Sequence, residues 1–337
     1  MVKLKFAIIG CGRISVKHIE ALIANQETSR LVALADIAEE KAVTRKEQYQ
    51  AVIKEAEVNI YTDYLEMLKR EDVQVVVVAT ESGLHAQQTI NCLKAAKNVL
   101  VEKPMALSLS DAIKMTKLAQ KKRLKLGVCY QNRFNRPIQR LRRAVEEGRF
   151  GKIISGSVSV LWSRDDDYYQ QAAWRGTKKL DGGVLMNQAI HSIDLLQWMM
   201  NSEVKRIHSE RDTFLREIEM EDFGALLIRF KSGAIGIVEG SACVYPKNLE
   251  KRLSLFGEKG TVIIGGLAVN ETKVWQFADQ RDYDQEEGDS VIDDVYGDGH
   301  IALYQDFIKA IIEKREPLIN GQEGQKSLKI VLRAYEN

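Results

Sequence analysis

The stretch that most constrains this chain lies at its start, Phe6-Ala7-Ile8-Ile9-Gly10-Cys11-Gly12-Arg13-Ile14-Ser15. Four apolar residues run into Gly-x-Gly, and Ile14, His18, Ala21 and Leu22 then recur at helix spacing. A strand, a tight turn and a helix joined in this way aim backbone N–H groups and the positive helix end at one place, where a pyrophosphate can sit. Gly10 permits the turn, and Gly12 lets the main chain approach a phosphate closely. Ser15 stands where the usual fingerprint has its third glycine and is small enough for close helix–strand packing. Gly-x-Gly alone is weak, because glycines mark many ordinary turns. The context strengthens it: Leu31-Val32-Ala33-Leu34-Ala35-Asp36 reads as a second buried strand ending in an acid 24 residues beyond Gly12. That is near the spacing at which a carboxylate takes the ribose hydroxyls of a dinucleotide. The bland reading of Asp36 is a solvated acid capping the next helix.

The alternation continues to about residue 128. Val73 to Ala79 is a nearly continuous β-branched run, the mark of a strand buried on both faces of a parallel sheet. Thr80, Glu81 and His85 follow at its carboxyl end, where open α/β sheets bind ligands. A helix (86–96), a strand (98–101), Glu102-Lys103-Pro104, another helix (109–119) and a strand (124–129) complete a doubly wound α/β pattern. Pro104 biases Lys103 towards an extended backbone. A lysine there can reach into a cleft, although a lysine with no such context is more often a snorkelling surface residue.

At 337 residues the chain is long for one core, so two domains are expected, 1–128 and 129–337. A net charge of +2 gives no case for a nucleic-acid or membrane partner, and the longest apolar run is of strand length. No basic-then-apolar leader is read before the first strand. Cys11, Cys92, Cys129 and Cys243 are scattered without a CxxC pair, so reduced thiols, a cytoplasmic location and no metal site are expected.

From residue 131 the pattern changes to a helix (136–146) and then strand-like runs at 153–162, 204–213, 223–230, 234–243, 252–256 and 261–264. Short connections between consecutive strands predict an α+β domain with a mostly antiparallel sheet. Residues 279–294 read as a long acidic loop, and helices at 300–312 and 322–335 close the chain. Read as one helix, Asp181 to Leu196 puts Leu185, Ala189, Ile193, Leu196 and Met200 on an apolar seam. Asn187, His191 and Asp194 then fall at i, i+4 and i+7 on another face. Either Asp194 orients a core histidine in a satisfied network, or it holds a catalytic histidine facing a substrate that Asn187 also touches.

Gly10-Cys11-Gly12-Arg13-Ile14, Glu102-Lys103-Pro104, and Gly182-Gly183 followed by His191 and Asp194 together resemble the glucose–fructose oxidoreductase / inositol dehydrogenase / MocA (Gfo/Idh/MocA) family over essentially the whole chain. The resemblance implies an N-terminal Rossmann domain binding NAD or NADP, a second domain covering a sugar, and Lys103 and His191 as the catalytic pair. The family usually has an acid four residues before the histidine, where this chain has Asn187. Trp162-Ser163-Arg164, Tyr168-Tyr169, Trp174-Arg175-Gly176-Thr177 and Asp181 to Gln188 further resemble WlbA-like dehydrogenases, which oxidise the 3-hydroxyl of UDP-N-acetylglucosaminuronate in bacterial polysaccharide synthesis.

The expected cofactor is NAD, because Asp36 would repel a 2′-phosphate and Ile37 beside it offers no positive charge. Its expected contacts are Gly10, Gly12, Arg13, Ile14, Asp36, Thr80, Glu81, His85, Glu102, Lys103, Trp174 and Arg175. Arg164, Tyr169, Asn187, Gln188 and His191 are the expected substrate contacts, with arginine forks suited to a carboxylate or phosphate. The bland reading of the tryptophans, tyrosines and arginines is core packing and surface ion pairs. A free-sugar or cyclitol dehydrogenase and a non-catalytic cofactor-binding regulator are the alternatives. An antiparallel sheet with one uncovered face favours a homodimer or homotetramer.

Overall fold

The β-branched run at Val75–Val78 lies at the centre of the first sheet with all four side chains fully buried, as a strand covered by helices on both faces requires. A computed structural model describes residues 3–285 and 295–336. They fall into two compact units. One runs to Cys129 and takes in His300–Gln325; the other runs from Tyr130 to Gly299 and resumes at Lys326.

The first unit alternates strands and helices: β1 (Leu4–Ile9), α1 (Ser15–Ala24), β2 (Ser29–Ala35), α2 (Glu39–Val52), β3 (Asn59–Tyr61), α3 (Tyr64–Leu68), β4 (Val75–Val78), α4 (His85–Lys94), β5 (Asn98–Val101), α5 (Leu109–Lys122) and β6 (Leu126–Val128). The strands pair in the order β3-β2-β1-β4-β5-β6, all parallel. This is the doubly wound Rossmann arrangement, and its strand order reverses between β1 and β4, where such sheets open a ligand crevice.

The second unit holds α6 (Arg136–Glu146), β7 (Ile153–Leu161), α7 (Asp166–Gln170), α8 (Val184–Asn187), α9 (Ile190–Met200), β8 (Val204–Asp212), β9 (Phe223–Phe230), β10 (Ile235–Ser241), β11 (Glu250–Gly257), β12 (Gly260–Gly265) and β13 (Glu271–Phe277). Its seven-stranded sheet runs β13-β12-β11-β7-β10-β9-β8 and is antiparallel except for the parallel β7–β10 pair. On its inner face α9 packs against β7 and β11: a Cβ at Gly156 would lie 2.9 Å from Leu196.

Two helices end the chain, α10 (Gly299–Ile312) and α11 (Gly321–Tyr335). The sequence boundary at 128/129 gave both to the second domain, whereas residues 300–325 return to the first unit. Tyr304 stacks on Phe6 with ring centroids 5.8 Å apart, and Phe307 packs so closely on β6 that a Cβ at Gly127 would lie 2.8 Å from its ring. Helical periodicity marks a buried face but does not say which sheet it covers.

Other differences are local. Strand β13, not expected, sits at the sheet edge with half-exposed residues on both faces and so lacks the alternation that marks a strand. Residues 279–285 of the expected acidic loop include one short turn of 3₁₀ helix, and 286–294 lie outside the described residues.

Candidate active site

Gly10 has φ +91°, and a Cβ there would lie 2.5 Å from the Ala79 carbonyl oxygen, so only glycine fits between β1 and β4. A Cβ on Gly12 would meet nothing within 4 Å: the main chain borders open space. Ser15 is fully buried and donates to the Gly12 carbonyl at 2.6 Å, which closes the turn in place of a third glycine. No side chain caps α1, so its first amides are left for a ligand, with Arg13 exposed and Ile14 half-buried beside them. At the end of β2, Asp36 accepts from the Cys11 amide at 2.7 Å and the Ala38 amide at 2.9 Å. Its carboxylate is thereby fixed beside the turn. A cradle with room in front of its amides and an anchored acid alongside fits a dinucleotide.

Thr80 and Glu81 close β4, and the Thr80 hydroxyl donates to Gln88 Oε1 at 2.6 Å. His85 is buried, with its ring nitrogens facing two carbonyls: Pro104 at 2.8 Å and Thr80 at 3.1 Å. Burial pushes its pKa down despite those bonds. The ring braces the loop after β5 against the end of β4. Lys103 is half-buried on that loop, its amide donating to Glu102 Oε2 at 3.2 Å.

In the second unit, Gly182 has φ +88°, and a Cβ on Gly183 would fall 2.1 Å from the Glu221 carboxylate. That carboxylate accepts from the Leu185 amide at 3.0 Å and the Tyr335 hydroxyl at 2.8 Å, while the Glu221 carbonyl accepts from Val184. The glycine pair thus leaves room for an acid at the start of α8. The single helix expected from 181 to 196 is two: Ala189 N–H bonds back to Val184, which ends α8, and α9 starts at Ile190. Asn187 and His191 therefore belong to different helices. His191 is buried on α9, edge-on to Tyr130 at 5.7 Å. Asp194, one turn on, is held in a buried bidentate pair by Arg133, with both N–O distances 2.7 Å. Sequence reading missed Arg133, which is 61 residues away.

Of the expected substrate residues, Arg164, Asn187 and Gln188 share one network. Asp181 accepts from the Gly176 amide at 2.7 Å and from the Asn187 amide group. Gln188 donates to Asn187 Oδ1 at 3.2 Å and to the Tyr168 hydroxyl at 3.1 Å. Arg164 lies over Trp162 (4.6 Å) and Tyr168 (5.0 Å), and Arg175 lies 4.0 Å over the Tyr168 ring and 5.7 Å from Trp174. Lys251, buried on β11, places its ammonium 4.4 Å from the Trp162 ring. Arg164 donates to Ser163 O, Asn248 Oδ1 and Gln188 Oε1, all neutral acceptors, and no carboxylate among the described residues pairs with it. Burial pulls its pKa below the usual guanidinium value. Burial and its acidic neighbours push Tyr169 above 10, so that hydroxyl stays a donor.

Residues 4–130 match the model of an oxidoreductase family with an NAD-binding Rossmann fold, and residues 138–263 match the Gfo/Idh/MocA C-terminal domain. This chain belongs to the Gfo/Idh/MocA family. As a member it is an NAD-dependent dehydrogenase, and the first unit is the family's cofactor domain. Among solved structures it resembles the WlbA dehydrogenase of Chromobacterium violaceum, crystallised with NADH and UDP-GlcNAcA (38% identity, 99% of this chain and 93% of that one, TM-score 0.90). The Bordetella pertussis WlbA dehydrogenase, with the same ligands, is 36% identical over 99% of this chain and 96% of its own, with a TM-score of 0.88. The myo-inositol 2-dehydrogenase of Thermotoga maritima is 28% identical over 335 residues, 96% of this chain and 93% of that protein. Among the described residues no helix is long and apolar enough to cross a membrane.

Proposed function

We propose that this dehydrogenase oxidises a secondary hydroxyl of an anionic nucleotide sugar. The substrate we favour is UDP-N-acetylglucosaminuronate, oxidised at C3 for bacterial polysaccharide synthesis in the cytoplasm. The observation that carries this reading is Arg164: a guanidinium stacked between two aromatic rings, with only neutral acceptors, keeps its charge for an anion. A neutral sugar needs no such group, since hydroxyls are served by amides. Asn187 fits the same reading, because a carboxylate there would repel a uronate or phosphate. The WlbA dehydrogenases, at 36% and 38% identity, support it from the other side.

Gly10 to Ile14 would hold the pyrophosphate of NAD and Asp36 its ribose, and the bound cofactor would supply the hydride acceptor. The chain supplies the rest. His191 takes the proton of the reacting hydroxyl as general base, since a neutral imidazole is an easier base near neutral pH than an ammonium. Lys103 donates a hydrogen bond to the same oxygen as negative charge develops on it. Tyr169, Gln188 and Asn187 offer polar groups to the sugar, and Arg164 and Arg175 offer cations to its anionic part. On the outer face of the second sheet, Leu227, Ile237 and Phe256 are exposed on β9, β10 and β11. The register puts them on one side, which supports self-association as a homodimer or homotetramer.

The myo-inositol dehydrogenase relative favours a cyclitol or free sugar as the second reading. A panel assay with NAD separates the two. Turnover is expected with UDP-N-acetylglucosaminuronate, little with UDP-N-acetylglucosamine, and none with glucose or myo-inositol. Efficient oxidation of inositol or glucose would sink the nucleotide-sugar reading and leave the family-level activity standing.

A further inference from the structure

Directly behind Lys103 the first unit buries titratable side chains for which hydride transfer has no direct use. The Glu102 carboxylate is at its centre, 6% exposed. Its Oε2 accepts the Lys103 amide at 3.2 Å. Its Oε1 lies 3.2 Å from His18 Nε2 on α1 and 4.0 Å from His300 Nε2 at the start of α10. His18 Nδ1 lies 2.9 Å from the Tyr304 hydroxyl, one turn further along α10. The two imidazoles meet edge to face at 5.7 Å. Cys129, at the end of β6, brings its thiol to the same carboxylate.

The hydrogen directions follow from the groups. A carboxylate only accepts, so the histidine nitrogens that face it carry hydrogens. On its other side the His18 ring shares a hydrogen bond with the Tyr304 hydroxyl through Nδ1. Burial alone would push Glu102 up, but His18 and His300 outweigh it and hold the carboxyl well below its ordinary value. His300 is pushed down by burial, with His18 and Lys17 adding to that and Glu102 opposing it. Burial pushes the Cys129 thiol and the Tyr304 hydroxyl well up, so both stay protonated. A negative charge buried in this way costs several kcal/mol unless it is paired. Here the charge is placed where it grips the main chain of one residue.

We infer that Glu102, braced by His18, His300 and Tyr304, is the positioning residue for Lys103: it fixes the backbone that carries the lysine and its charge favours the ammonium form. This rests on the role proposed above for Lys103. Among the described residues, the other charged or titratable groups facing the cluster are Lys17, Cys129, His85 and Lys103 itself, with no second carboxylate beside them. One carboxylate thus grips the main chain of Lys103, and α1 and α10 set its position from opposite ends of the sequence.

The test is Glu102→Gln, which keeps the shape and removes the charge, measured on whichever alcohol the native enzyme oxidises. The expected result is a fall in kcat of at least about tenfold, the scale at which small misplacements act, with the Kd for NAD within about twofold. Without the carboxylate the ammonium is less favoured, so the alkaline limb of the kcat profile should move to lower pH by about one unit. In a Lys103→Ala background the same change should no longer move that limb, because coupling disappears when one partner is absent. A native kcat, an unmoved limb, or a loss of NAD binding parallel to kcat would overturn the inference. If Glu102→Gln does not fold, Tyr304→Phe carries the test: a smaller loss and a limb shift in the same direction support it, and native behaviour overturns it. If Lys103→Ala itself turns over normally, the role of Lys103 has failed; if only Glu102→Gln does, this inference alone has failed.

Discussion

On the proposed function, the cofactor cradle and the substrate network would recognise charge by opposite means. Between Gly10 and Ile14 the recognising groups are main-chain amides, and the sequence need only supply glycines and a helix start. In the second unit they would be side chains, the guanidinium groups of Arg164 and Arg175, held by partners such as Asn248 and Tyr168. A backbone site is built by about ten consecutive residues and survives most substitutions around it. A side-chain site depends on many residues being right at once, and for that reason it can be tuned to one substrate.

The largest expected effect separates the two regions by stability. Asp194→Ala should leave the Arg133 guanidinium buried without its carboxylate and cost about 3–5 kcal/mol. Urea unfolding would show it as a lower midpoint. A loss below about 1 kcal/mol would mean that the pair is not what holds α9 in place.

Catalysis comes next. Lys103→Ala and His191→Ala should each lower kcat at least about a hundredfold, the low end for a lost acid–base group, or about 2.7 kcal/mol of barrier. NAD binding should survive both, because the cradle is built by the main chain and Asp36. The comparison breaks if NAD affinity falls with either substitution, and a variant that keeps native turnover removes its residue from the mechanism.

What the sequence made legible follows the same division. The Gly10–Ile14 turn, Asp36, the β4 run and most strands of the second sheet are local patterns, and the structure shows them within a residue or two of where they were read. Asn187, Gln188, Tyr168 and Arg164 were picked out by residue type, but the hydrogen bonds that join them were not readable. Partners far along the chain escaped altogether: Arg133 for Asp194, Glu221 for the glycine pair, and His18 and His300 for Glu102. The break at Ala189 escaped too, because the apolar seam runs through it unchanged while the backbone ladder does not. Spacing reports faces and periods. It carries no information on which distant side chain completes a buried charge.

The smallest effect tests the comparison through pH. Of the five histidines, His18, His85 and His300 are buried in the first unit, while the second has His191 and the exposed His208. Burial holds His85 and His300 below their ordinary 6.5. Below that value the unfolded chain takes up protons that the folded unit refuses, so stability falls as pH drops. The loss is bounded at about 1.4 kcal/mol per histidine between pH 6.5 and 5.5, since one group gives at most that slope per pH unit. Glu102, held below its usual range, stays ionised here, and its own contribution is lost only at more acid pH. In the second unit the sign differs: burial raises Glu221 above 4.5, so its cost appears as pH rises from there and acidification relieves it. Amide exchange at pH 7.5 and 5.5, corrected for intrinsic rates, should therefore show protection falling in β4, α4 and α10 but not in α8, beside Glu221. Equal losses in both units would mean that the buried histidines do not set the acid sensitivity. A His300→Gln variant, which cannot take up the proton, should lose less protection in α10 than the native chain over the same range.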